Sequence, residues 1–330
     1  MRDSRLNHPE RRWQQSFTNG TVAGALLIAF VILLCAWRWD VGPDRQPMPP
    51  RTVRLHLEPL RIDGSAVAPL RLAGAWRLTA DDSRFGGLSA LALDKSRLMA
   101  LSDTGVLARF DLPQGGTEET VTLADLPDGP GSPLLKKNRD SESLARDPFG
   151  RGWWVGFEQH NQLWLYDRAF RSGVRAIDFG RERWPRNLGI EAMLVDRGRI
   201  TLVPESGNEV VDIEKGRAVS RPLRASGDRI SDMARLPNGE MLVLLRDVGL
   251  TGFRNSLGVL EQDGEGWRVS RRVALRVGTF ANLEGMAVQT LPSGVVRLWL
   301  VTDDNFQPPQ TTMLIAIDIP LGGWPGRSRR

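Results

Sequence analysis

Carboxylates recur in this chain at matching places. Ser89, Glu142, Glu191, Asp232 and Glu284 each sit at the start of a short apolar run, and Asp103, Glu158, Glu205, Arg246 and Asp303 with Asp304 each follow a second such run. Within a unit the two positions lie 14, 16, 14, 14 and 19 residues apart, the near-constant offset that hairpins of fixed length produce. Hairpins would carry both positions to one end of their sheet. Carboxylates gathered there cannot all stay ionised without a counter-charge. A set of hard oxygen donors suits Ca²⁺ over zinc, and the candidate ligands are Asp103, Glu142, Glu158, Glu191, Glu205, Asp232, Glu284, Asp303 and Asp304. A bound ion would polarise an ester or hold a phosphate while Glu142, Glu191 or Glu284 moves protons. Arg246, the cationic member of the second set, would grip an anionic group bidentately. These residues point to a small anionic or ester substrate. Their competing role is to accept backbone N–H groups of the neighbouring unit, because repeats reuse structural residues.

Other chemistries find less support. Gly87-Leu88-Ser89-Ala90-Leu91 approaches a nucleophile elbow, but Leu91 stands where the second glycine belongs. The three histidines are His8, His56 and His160. His160 follows Glu158 closely enough to make a Ser89–His160 couple conceivable. No Arg-His-Gly tripeptide, Gly-rich phosphate loop or zinc-spaced Cys/His set occurs. Trp153, Trp154, Trp164 and Trp299 fall in strand patterns and read as core.

The elements that must position the acids are strands. After Thr52 no stretch reads well as an amphipathic helix, and short β-rich runs alternate with Gly, Pro, Asn and Asp turns. Five units follow one plan. In the fifth, Asn282 to Phe306, Glu284 opens the strand Gly-Met-Ala-Val, Pro292-Ser293-Gly294 turns the chain, and Val295 to Val301 runs into Asp303 and Asp304. Third strands follow in all five units (VLARFDL, QLWLYD, EVVDIE, SLGVLE, MLIAIDI) and fourth strands in the first four. Residues 71–80 are expected to supply the missing fourth strand by pairing with Met313 to Ile319, closing a ring. Four-stranded units at this period signal an all-β protein, a β-propeller of five blades. A sixth blade built from residues 52–70 and irregular segments is the close alternative. First strands rich in Ala and Gly, such as Ala90, Ala192, Gly285 and Ala287, suit a crowded central channel.

GGLSAL with LSDTG, GIEAM with VPESG, ISDMARLPNGEMLVLLRD, and NLEGMAV with VTDDNF resemble the esterase-like phytase domain family of bacterial exported proteins. The resemblance runs from about Gly74 to Ile319 and keeps the family's motif order. It implies a β-propeller, export and a loosely defined hydrolase activity. The chain departs from the family where Thr104 follows Asp103 and where Asp247 follows Arg246.

Thr21 to Trp37 is a continuous apolar run without a charge, at the lower limit for a membrane span. Arg2, Arg5, Arg11 and Arg12 precede it, so the positive-inside rule leaves residues 1–20 in the cytoplasm and exports the rest. The expected order is a basic tail (1–20), a single-pass anchor in the cytoplasmic membrane (21–37), a Pro-rich linker (38–51), the propeller (52–320) in the periplasm or outside the cell, and a basic tail (321–330). A cleaved signal peptide is the rival reading, but no convincing cleavage site follows the run. Cys35, the one cysteine, lies within the run, so the exported part has no disulfide. Composition is globular, with 41% hydrophobic and 25% charged residues, a formal net charge of +5 and a pI near 10.0. The basic excess is nearly all arginine and is scattered, which argues against nucleic acid as a partner.

Overall fold

Short apolar runs bounded by tight turns fold here as successive antiparallel hairpins. In the computed structural model, residues 46–330 are described apart from 181–182, 186–187, 225–226, 321–322 and 326–330. The expected cytoplasmic tail, the apolar run and the linker up to residue 45 lie outside the described residues, as do residues 326–330 of the basic tail. Among the described residues, no helix is long and apolar enough to cross a membrane.

The chain begins with β1 (Arg51–Pro59) and β2 (Arg71–Ala80) and then builds sheets in order. The first comprises β3 (Leu88–Asp94), β4 (Arg97–Ser102), β5 (Val106–Asp111) and β6 (Glu118–Asp125). The second comprises β7 (Ser141–Arg146), β8 (Gly152–Phe157), β9 (Gln162–Asp167) and β10 (Gly173–Asp178). The third holds β11 (Ile190–Asp196), β12 (Arg199–Pro204), β13 (Glu209–Glu214) and β14 (Arg217–Pro222). The fourth holds β15 (Arg229–Arg235), β16 (Met241–Gly249), β17 (Gly252–Asp263) and β18 (Gly266–Leu275). The last unit supplies β19 (Asn282–Thr290), β20 (Val296–Asp303) and β21 (Met313–Ile319). Turn chemistry fixes the hairpins. Arg197–Gly198 and Lys215–Gly216 both have positive φ, the twist-matched geometry that joins adjacent antiparallel strands in two residues.

β2 pairs with β21 in the register Arg71↔Asp318 to Arg77↔Met313, completing the fifth sheet. The expected closure by residues 71–80 is therefore present, and among the described residues the strands fall into five four-stranded groups. β1 adds a feature the sequence did not reveal. It pairs with β2 on one side and with β6 on the other, fusing the fifth and first sheets into one nine-stranded sheet.

The first strands form a ring, since β3, β7, β11, β15 and β19 each touch the next and β19 returns to β3. The core divides in the same way, with one apolar cluster in each seam between sheets. Trp153, Trp154 and Trp299 are buried there. The arrangement is all-β and propeller-like. Close approach at the ring demands small residues. A Cβ on Gly285 would lie 2.8 Å from the backbone of Ala90 and Leu91, well inside contact distance.

Every first strand carries a β-bulge at its beginning. The register shifts between Leu88 and Ala90, Ser141 and Ser143, Ile190 and Ala192, Ile230 and Asp232, and Leu283 and Gly285. The bulged residues are Ser89, Glu142, Glu191, Ser231 and Glu284. Sequence spacing put Asp232 in this series, and the register corrects it by one residue to Ser231. The two serines tie seams: Ser89 Oγ donates to Ser141 O at 2.6 Å and Ser231 Oγ to Leu283 O at 3.1 Å.

Candidate functional site

At the bulged end of the ring, second-strand ends stand beside first-strand beginnings. Asp103, Glu158 and Glu205 donate their backbone N–H to the carbonyls of Gly87, Asp140 and Gly189. Arg246 and Asp303 stand opposite Arg229 and Asn282 in the ladder. One mouth therefore receives two residues per sheet from paired strands and one more from each bulge. Bulges re-aim side chains and are common beside active sites. Here they present Glu142, Glu191 and Glu284.

One half of the mouth is organised by Arg246. Its Nη1 donates to Asn282 Oδ1 at 2.9 Å and to Glu284, and its Nη2 lies 3.3 Å from Glu191 Oε1 and 3.8 Å from Glu205 Oε1. Asn282 Nδ2 also donates to Glu284 at 2.8 Å, and Glu205 pairs with Arg229. Arg246 Nε is buried with no hydrogen-bond partner among the described residues. Burial alone would lower the Arg246 pKa, but Glu284, Glu191 and Glu205 more than offset it and raise it. Burial raises the carboxyls of Glu284 and Glu191 despite the guanidinium. The sequence placed Arg246 at a strand end with its donors free for a substrate. Instead β16 continues three residues past it to Gly249, and protein oxygens already engage both Nη atoms while Nε is left without a partner among the described residues.

The other half is organised by Lys136, which the sequence reading passed over. Lys136 Nζ lies 2.8 Å from Asp103 Oδ2 and 3.0 Å from Asp140 Oδ1. Asp140, Glu142 and Glu158 each offer an oxygen within 4.8 Å of the others. Burial, then the charge of Asp140, pushes Glu158 up to about 9. Glu142 is raised well above the carboxylate range by burial, with Asp140, Glu191, Glu284 and Glu158 adding to it. Burial also raises Asp103 against the pull of Lys136, and raises Asp303 with Glu284 and Asp103 adding. Asp140, Glu142 and Glu158 fit a hard cation, because their donors are all oxygens and converge, with Lys136 the neighbouring positive charge on Asp140. Asp140 and Lys136 fall in an irregular segment without periodicity. The one signal for Asp140 was its place two residues before Glu142, which Asn282 shares before Glu284.

Other expected ligands serve the framework. Asp232 accepts N–H from Met233 at 2.7 Å and, across the seam, from Met286 at 2.6 Å. Burial raises its pKa while those two donors work to lower it. Asp304 accepts from the N–H of Gly87 at 2.8 Å and Phe306 at 3.1 Å and from Thr312 Oγ1 at 3.0 Å. Asp303 accepts from Asn305 N–H at 2.6 Å and keeps its other oxygen toward Asn282 Nδ2 at 3.5 Å. The Ser89–His160 couple is not formed. Ser89 donates to backbone carbonyls, and His160 Nε2 is hydrogen-bonded with Asn138 Oδ1 at 2.7 Å.

Among solved structures, the chain is similar to Myxococcus xanthus glutaminyl cyclase (13% identity, 76% of this chain and 97% of that one, TM-score 0.47). It is also similar to a protein of unknown function from Bacteroides caccae (13% identity, 79% and 93%, TM-score 0.41). A further similarity is to Kuenenia stuttgartiensis hydrazine synthase (17% identity, 72% and 64%, TM-score 0.38). No curated protein matches the chain. Residues 83–306, which contain nearly every mouth residue named above, match the phytase-like family described as "Esterase-like activity of phytase", and the chain belongs to that family.

Proposed function

We propose that this protein is a membrane-anchored, exported five-bladed β-propeller that hydrolyses phosphoesters or esters at its acidic mouth with the help of a divalent cation. The observation that carries the reading is the convergence of Asp140, Glu142 and Glu158 within 4.8 Å, beside an arginine held by Glu284 and Glu191. Membership of the phytase-like family supports a hydrolase. The anchor rests on the apolar run Thr21 to Trp37 and the arginines before it.

Asp140, Glu142 and Glu158 would hold the cation, and their all-oxygen character favours calcium. Bound there, the ion would supply Lewis-acid polarisation of a phosphoryl or carbonyl oxygen. Arg246 would take an anionic group of the substrate by giving up its two longest contacts, at 3.3 Å to Glu191 and 3.8 Å to Glu205. Glu284 and Asn282 would keep the guanidinium in place during that exchange. Glu191, so released, is the carboxylate positioned to accept a proton. Hydrolysis of phosphomonoesters, phytate and p-nitrophenyl esters, measured with and without Ca²⁺, tests the reading. Ca²⁺-dependent turnover lost in Glu142→Gln is the expected result. A folded protein that binds no cation and turns over none of the panel would end it.

A second reading is a non-catalytic propeller that binds a ligand or an envelope partner through the same mouth. Engagement of both Arg246 Nη atoms by protein oxygens and the tethering of the Ser89 hydroxyl to backbone favour it. Fold alone does not choose between these roles.

A further inference from the structure

Nine large apolar side chains are exposed among the described residues, and Leu134, Val248, Leu250, Phe280 and Phe306 are among those at the mouth end. Strand direction gives this placement. β4, β8, β12, β16 and β20 all run toward the mouth, so the segments after them, and those before each first strand, crown that end.

The most prominent part of the crown is the β16–β17 hairpin. Its ladder continues beyond Arg246↔Asn255 through Asp247↔Arg254 and Val248↔Phe253 to Gly249↔Gly252, past the end of β15. Phe253 N–H donates to Thr279 O at 2.8 Å, which docks the hairpin on the loop carrying Phe280. Leu250 at the tip is wholly exposed, and Val248 and Phe280 are at least half exposed. After β20, Phe306 packs over Gly86 and Gly87, where a Cβ on Gly87 would lie 2.4 Å from its ring and 2.5 Å from Asp103 Oδ1. Apolar side chains thus stand at the same end of the ring as the acids. Isolated exposed apolar residues need no explanation, but a collection at one end marks a contact surface.

The chain enters the ring at this same end. Arg51 opposes Leu123, near the mouth end of β6, and Met48 N–H donates to Asp125 at 2.7 Å. Upstream in the sequence is the apolar run Thr21 to Trp37. The intervening residues 38–50, at about 3.1 Å each if extended as Pro-rich chain, reach roughly 40 Å. A tether of that length would not fix which face meets a membrane, whereas an apolar rim would. We infer that the mouth end is a membrane-docking face, with Val248, Leu250, Phe280 and Phe306 inserted among the lipids of the bilayer that holds the anchor. The inference rests on the anchoring under Proposed function and is independent of hydrolysis.

The test uses the full chain carrying Cys35→Ser and one new cysteine at a time: Leu250→Cys, Phe280→Cys, and, on turns at the opposite end, Phe149→Cys and Asn238→Cys. Each is labelled with an environment-sensitive fluorophore and reconstituted in vesicles of phosphatidylcholine and phosphatidylglycerol containing nitroxide-bearing lipid. The melting temperature of each variant is checked against the parent. Lipid docking predicts blue-shifted emission and several-fold stronger quenching at positions 250 and 280 than at 149 and 238. Protein that sediments with vesicles while labels 250 and 280 report water overturns the docking face and leaves anchoring intact. Shielding of 250 and 280 without lipid quenching, in a chain that forms dimers, assigns the rim to a second copy and also overturns it. A chain that never associates with vesicles takes down anchoring and docking together.

Discussion

Arg246 in the fourth sheet donates through one nitrogen to both Glu284 and Asn282 in the fifth. That nitrogen bridges two sheets at the point where buried carboxylates crowd. Replacing Arg246 with Met leaves Glu191 and Glu284 without their shared cation, while Glu205 keeps Arg229. Breaking a buried pair by removing one partner costs about 3–5 kcal/mol. We expect a loss of that order in urea denaturation at neutral pH. The loss should shrink at pH 5, where the orphaned carboxylates take up protons. An unchanged denaturation midpoint at neutral pH would count against the bridge.

The mouth also sets how stability depends on pH. Glu158 is raised to about 9, and Glu142, Glu191, Glu284 and Asp303 are raised as well, burial being the first cause in each. In the unfolded chain these groups titrate near 4. Between those limits the folded state binds more protons than the unfolded state, so stability falls as pH rises. Carboxylates held by a guanidinium, such as Asp318, lowered by Arg297 against the cost of burial, act oppositely and only in acid. Without divalent cations the melting temperature should therefore peak near pH 5 and decline toward pH 9. A metal-free profile rising from pH 5 to 8 would contradict this account.

Cation binding should expel the protons that the mouth holds. Ca²⁺ at 100 times its dissociation constant should add about 2.7 kcal/mol of stability by mass action. Its apparent calorimetric enthalpy should change with the ionisation heat of the buffer, because ligands must deprotonate to bind. Glu142→Gln should abolish the Ca²⁺-dependent gain. Without metal, the same substitution should be neutral or stabilising, since it removes one of several mutually repelling acids. Glu284→Gln should behave differently and destabilise the metal-free protein, because Arg246 loses its closest carboxylate.

β1 fills the gap between two outer strands. Deleting residues 46–60 bares the outer edge of β2 and that of β6, and unpaired edges invite association. It also removes Leu55 and Leu57 from the seam between the first and fifth sheets. Size-exclusion chromatography should find oligomers or aggregate, and the melting temperature should drop. A monomer with the parent's melting temperature would show that β1 is ornamental.

Local regularities made most of the ring readable in the sequence. Alternating apolar runs and Gly or Asn turns located the hairpins, and the unpaired run at 71–80 announced its pairing with Met313–Ile319. β1 escaped notice because filling a gap between two sheets leaves no local signature. Asp232 was misaligned because a bulge displaces a strand by one residue, and spacing alone does not see it. Lys136 and Asp140 stayed hidden in an aperiodic segment. The mouth acids were found as a group, but the sequence could not divide those that hold backbone, such as Asp304, from those that face one another, such as Glu142 and Glu158. That division depends on which N–H groups lie within reach across a seam.

The pairing of Arg71 with Asp318 also sets a timetable. A chain made and delivered from its N-terminus offers β2 before any other strand of the fifth sheet exists. β2 must then wait until nearly the whole sequence has emerged. Contacts this distant in sequence are slow to form, and closing the loop late leaves the β21-facing edge of β2 bare throughout the delay. Four sheets can assemble from neighbours as they arrive, while the fifth joins the earliest part of the chain to the latest. Ring closure should therefore be the final folding step, and the interval before it is when the protein depends most on chaperones.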